Sequence, residues 1–120
     1  MAYQSFENLE VWKRACRLAV STVNELRDSK ERIIRDQMVR AAVSIPSNIA
    51  EGYERDSNPD VIRFLRIAKG SAAELRTQCY LAQVLKLMDA KTSQTLINET
   101  KEISAMLQGL IRSRSRPPET

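Results

Sequence analysis

Four stretches of this chain carry apolar residues at alternating steps of three and four, and little between them is built to turn. Leu9, Trp12, Cys16, Ala19, Val23 and Leu26 form the first stripe, with Val11, Ala15 and Leu18 beside it. Ile34, Met38, Ala41, Ile45, Ile49 and Tyr53 form the second, and Leu65, Ala68, Ala72, Leu75, Cys79 and Ala82 the third. Leu96, Thr100, Ile103, Leu107 and Leu110 form the fourth. Such spacing keeps side chains on one face of a helix but scatters them over both faces of a strand. Only 3 Gly and 4 Pro occur in 120 residues, too few for a sheet or a loop-rich fold.

The spacing predicts helices over residues 7–27, 31–54, 59–87 and 92–113. Ser29 is the expected cap of the second helix. Ser57 or Asn58 is expected to cap the third, with Pro59 in the first position and Asp60 against the positive end of the dipole. Short connections force neighbouring helices antiparallel, so the expected fold is all-α, an up-down-up-down four-helix bundle. One domain over 1–113 is followed by a basic tail, 114–120, expected to be disordered. Pro46 falls inside the second stripe. It lacks an N–H, so it should kink the helix and free the Ala42 carbonyl, to be met by a side chain such as Ser44 or Asn48, by water or by a neighbouring chain.

Composition removes whole classes of chemistry. There is no His, which excludes His-dependent triads and the usual zinc sites. The two cysteines, Cys16 and Cys79, are too far apart for a CxxC site and too few for a disulfide scaffold, so they read as buried free thiols in a reducing compartment. Residues 1–10 show no basic start followed by an apolar run, and no apolar stretch approaches membrane-spanning length, so neither a signal peptide nor a membrane span is expected. No metal, cofactor or catalytic residue is expected. Nineteen basic against 15 acidic residues leave a charge of +4, which permits a polyanionic partner.

Several apolar residues fall off the main stripes: Ile33, Val39, Phe64, Ile67, Leu81, Leu85, Met88, Met106 and Ile111. One bundle core needs about three or four apolar positions per two turns. The surplus predicts a second buried face, most simply through self-association.

Three motifs stand out: Phe6-Glu7-Asn8-Leu9-Glu10-Val11-Trp12, the run Ser44-Ile45-Pro46-Ser47-Asn48-Ile49-Ala50-Glu51-Gly52 preceded by Arg40, and the stretch from Phe64 to Leu75 containing Gly70, Ser71 and Glu74. Together they resemble the four-helix-bundle family of 23S rRNA-intervening-sequence proteins, and the resemblance covers residues 6–111. It implies a bacterial, cytoplasmic, ring-like homopentamer. Some members are encoded inside insertions in 23S rRNA genes, which suggests RNA binding. A related group is similar to accessory proteins of diversity-generating retroelements, which bind nucleic acid and a reverse transcriptase. No catalytic residue comes with the resemblance.

Read physically, Asn48 and Glu51 share one helix face, as do Ser71 and Glu74. Arg40, Glu51, Glu74 and Arg76 are expected to form a partly buried polar network that fixes helix register or the subunit interface. Gly70 reads as a point of close helix approach. A paired-carboxylate metal site is disfavoured, because such sites in bundles use Glu-x-x-His. The basic residues fall into clusters: Lys13, Arg14 and Arg17; Arg32 and Arg35; Arg63, Arg66 and Lys69; Arg112, Arg114 and Arg116. These are the expected phosphate contacts, multiplied in an oligomer. Aromatics are only 5% of residues, so no base-stacking platform is evident and backbone-directed binding to RNA or DNA is expected. The alternative is a protein–protein adaptor whose basic residues merely solubilise it.

Overall fold

The apolar stripes converge on one core, the last three helices burying the face that their spacing marks out and the first turning a neighbouring face inward. The computed structural model describes residues 5–115. A 3-10 turn at Phe6–Asn8 leads into α1 (Glu10–Leu26), α2 (Arg32–Tyr53), α3 (Asn58–Val84) and α4 (Ala90–Ser115). No strand occurs among the described residues, and the molecule is a four-helix bundle measuring 55 × 20 × 20 Å. Each helix packs on its sequence neighbours, and α1 also meets α4. No diagonal pair touches, so the cross-section is a four-sided ring of helices in which the α1–α2 edge lies opposite the α3–α4 edge. Contacts along α3 and α4 run in opposite chain order: Ser93 meets Cys79, Ser104 meets Arg76, and Gln108 meets Lys69. No helix among the described residues is long and apolar enough to cross a membrane.

Local chemistry sets the helix ends. Ser57 Oγ accepts the Asp60 N–H at 3.3 Å, capping α3 as expected. Asp89 Oδ1 accepts the Thr92 N–H at 2.7 Å, and that bond holds the Asp89 carboxyl below its usual range. Ser29 is not the cap of α2, since Glu31 stands there; Ser29 Oγ instead accepts the Glu31 N–H. The third helix stops at Val84 and not at 87. Lys86 there adopts a φ of 60°, and Leu87 N–H bonds to Ala82 O while Lys86 N–H bonds to Gln83 O. That closure terminates a helix by satisfying its last carbonyls. The fourth helix runs two residues beyond the expected 113, so Arg114 and Ser115 are helical and do not belong to the tail. Residues 116–120, including Arg116, lie outside the described residues.

On α1 the core takes the second set, Val11, Ala15 and Leu18, together with Ala19, Thr22 and Leu26. Trp12, Cys16 and Val23 are only half-buried. Thr22 is tolerated inside because its hydroxyl donates to Leu18 O at 2.8 Å. Thr100 and Ser93 do the same toward Ile97 O and Cys79 O. α2 comes close to α3 at Gly52, where an added Cβ would stand 2.7 Å from Phe64 Cβ. Gly70 is exposed, with nothing within 4 Å of the same position, which corrects the expectation of a close approach there.

Candidate nucleic-acid interface

The expected polar network assembles only in part. α2 continues unbroken through the buried Pro46. Asn48 Nδ2 donates to Ser44 O at 2.8 Å and Ser44 Oγ at 2.9 Å, so its amide does not turn to the Ala42 carbonyl. Ser44 Oγ in turn lies 2.8 Å from Ser71 Oγ, tying α2 to α3. The charged members go elsewhere. Glu51 pairs with Arg55 on the surface, and Arg76 reaches Ser104 on α4. Arg40 and Glu74 line a groove between α2 and α3 together with Gln78. Four charges therefore do not meet, because Glu51 and Arg76 sit on different edges of the bundle.

The expected cation clusters also separate once carboxylates are placed around them. Arg14 grips Glu99 across α1 and α4 with two hydrogen bonds, Nε to Oε2 at 2.9 Å and Nη2 to Oε1. Arg17 reaches Glu10 at 3.4 Å, and Arg35 pairs with Asp36 while donating to Ser29 O. Arg63 lies 3.9 Å from Asp60 and over the ring of Phe64, which Arg55 also covers. Arg114 stacks on Tyr53 and donates to Asn58 Oδ1 at 2.7 Å. Lys13 and Arg32 are exposed singly. The first two clusters are thus largely internal to the bundle's own electrostatics.

The α3–α4 edge differs. Lys69 and Arg76 reach from α3 to α4, and helical spacing puts Arg66, three residues before Lys69, Lys101, seven before Gln108, and Arg112, four after it, on the same side. Among the described residues none of the five has a carboxylate in ion-pair range. Lys69 Nζ donates to Gln108 Oε1 at 2.7 Å and Arg76 Nη2 to Ser104 Oγ at 3.5 Å, neutral acceptors that fix the side chains without cancelling their charge. The acids of the same helices point away: Glu74 into the α2–α3 groove, Glu99 and Glu102 into the α1–α4 groove. Arg66 to Arg76 spans about 15 Å at 1.5 Å per residue. Clustering along the chain points to Arg66, Lys69 and Arg112; Arg76, expected in a buried network, and Lys101, outside every cluster, join them only in the structure. The available signal was the heptad interval between Lys69 and Arg76, matched by Lys101 and Gln108 on the partner helix.

The opposite, α1–α2 edge is apolar. Val20 and Val43 are exposed by 61% and 45% and share a shallow groove with Ala19, Val23, Asn24 and Arg27. Val39 and Val43 line a second one with Asp36, Arg40 and Ser44. Of the surplus apolar residues, Phe64, Met88 and Ile111 are buried within the chain, whereas Ile33, Ile67, Leu81 and Leu85 are exposed.

Nucleophile chemistry finds little foothold. Burial pushes the Cys79 thiol up to about 11 and raises Cys16 as well, so both stay protonated near neutrality. No group of three or more His, Cys, Asp or Glu among the described residues is placed to hold a metal ion.

Comparison with known proteins adds two findings. The sequence pattern of the family described as 23S rRNA-intervening sequence protein matches residues 7–109. A crystal structure from Bacteroides thetaiotaomicron, described as a protein with unknown function from the S23 ribosomal protein family, superposes with a TM-score of 0.81. The two share 26% sequence identity over 85% of this chain and 98% of the other. No curated protein matches the sequence.

Proposed function

Because the chain belongs to the 23S rRNA-intervening sequence protein family, we propose that it is a non-enzymatic, cytoplasmic, homo-oligomeric bundle that binds nucleic acid through the phosphate backbone. The observation that carries this reading is the α3–α4 edge, where Lys69 and Arg76 reach across to neutral acceptors and Arg66, Lys101 and Arg112 fall on the same side by helical spacing, none with a carboxylate partner among the described residues. Cations left unpaired on one face retain their attraction for phosphate, whereas Arg14 and Arg35 spend theirs on neighbouring acids. The exposed valines of the α1–α2 edge favour self-association there. Since that edge lies opposite the basic one, a ring closed through it would repeat the basic faces around its outside. Individually weak phosphate contacts then add through multivalency.

Light scattering coupled to size exclusion should give a mass several-fold above 13.7 kDa. Binding to RNA and duplex DNA should weaken linearly on a log–log salt plot, with a slope near −0.7 to −0.9 per phosphate neutralised. Lys69→Ala, Arg76→Ala and Lys101→Ala combined should flatten that slope by roughly 2. Absence of binding at low salt would reassign the protein as an adaptor for a protein partner such as a reverse transcriptase. An unchanged slope in the triple variant would remove the α3–α4 edge from the mechanism.

A further inference from the structure

The basic edge ends in an exposed aromatic ring. Tyr80 is 49% exposed, and it follows Arg76 by four residues and Lys69 by eleven. Those intervals are one and three helical turns, so the phenol continues the line of cations on the same side of α3. Val84, 79% exposed, stands one further turn along. Ring and valine together make a small apolar shelf at the end of a track whose earlier positions are charged. Tyr53, by contrast, is half-buried under the Arg114 guanidinium, so its face is already covered.

We propose that the α3–α4 edge takes single-stranded nucleic acid, with phosphates along Lys69, Arg76 and Lys101 and one unpaired base stacked on Tyr80. The proposal rests on the phosphate-binding reading above and specifies the partner's form. A duplex keeps its bases stacked on one another and offers this ring nothing, whereas a single strand can lay a base against it. Phosphate contacts alone are indifferent to strandedness, so the ring is what selects. Every base has a π-face, so the selection is for strand form and not for sequence. The low aromatic content argued against such a platform, but one well-placed ring next to a cation suffices for one base.

The test uses the full chain and two labelled strands of equal length, oligo-dT and an abasic deoxyribose-phosphate oligomer, followed by fluorescence anisotropy. The wild type should bind oligo-dT roughly tenfold more tightly than the abasic strand. Tyr80→Ala should erase most of that gap while leaving the abasic affinity and its salt slope unchanged, and Tyr80→Phe should retain the gap. Equal affinity of the wild type for both strands, with a steep salt slope, overturns the stacking inference and leaves phosphate binding standing. Failure to bind either strand overturns both. Size exclusion of Tyr80→Ala accompanies the titration, and a changed assembly mass would place the ring in a protein interface and overturn the inference.

Discussion

Replacing glycine by alanine should have opposite signs at two helical sites of this protein. In a free helix the exchange gains about 1 kcal/mol, because alanine has less backbone freedom to lose. At Gly70 nothing lies within 4 Å of the added Cβ, so Gly70→Ala should stabilise by about 0.5–1 kcal/mol. At Gly52 the new atom would meet Phe64 Cβ at 2.7 Å and the Val61 carbonyl oxygen at 3.4 Å. Ordinary carbon–carbon contact needs at least about 0.7 Å more than the first of these distances. The obstructing atom is fixed to the α3 backbone, so no rotamer change clears it and the helices themselves must part. Overpacking costs about 1–3 kcal/mol, and a clash that no rotamer relieves belongs in the upper half of that range; set against a propensity gain of about 1 kcal/mol, it leaves Gly52→Ala about 1–2 kcal/mol less stable than wild type. Urea unfolding followed by helical circular dichroism, at one fixed protein concentration, measures both variants. The midpoint should fall for Gly52→Ala and rise for Gly70→Ala, with the m-value unchanged. A Gly52→Ala midpoint at or above that of Gly70→Ala would refute the close packing of α2 on α3.

Ser44→Ala and Ser71→Ala should each cost about 1 kcal/mol, and the double variant should lose at least about 0.5 kcal/mol less than the sum, because both remove the same bond. Arg14→Ala should lower stability by about 1 kcal/mol through loss of the Glu99 pair, and under the proposed function it should leave phosphate binding and its salt slope unchanged. Cys79 is raised from 9.0 to about 11 by burial, so the unfolded chain loses this proton first and stability falls as pH rises through that window. The loss attributable to this thiol is about 2–3 kcal/mol, and unfolding of Cys79→Ala should show a correspondingly shallower decline from pH 9 to 11. Lys86→Gly should raise the thermal midpoint, equivalent to about 0.5–1 kcal/mol, since a φ of 60° strains any side chain there.

Much of the helical framework was readable because its causes are local. Ser57 caps α3 through a bond three residues away, and Asp89 caps α4 in the same manner. The third helix ended early for a reason equally local but without its usual marker, since Lys86 occupies the left-handed position that glycine commonly takes. The candidate interface was half legible. Arg66 and Lys69 were evident on one helix, but the acid-free edge exists only because Glu74, Glu99 and Glu102 turn toward other grooves. A count of charges along the chain cannot show that separation.

The sequence by itself determined that this chain makes helices, how many, and roughly where each begins and ends, because three–four periodicity and end caps act within a few residues. Tertiary structure alone decided how each helix is rotated and how far it slides along its neighbour. Those two degrees of freedom chose Val11, Ala15 and Leu18 over the adjacent Trp12 and Cys16 for the core of α1. They brought Arg14 to Glu99 across 85 positions, pressed Gly52 against Phe64 and left Gly70 open. Rotation and slide are set by the fit of side chains between helices, a property of pairs of surfaces that no single stretch of sequence contains.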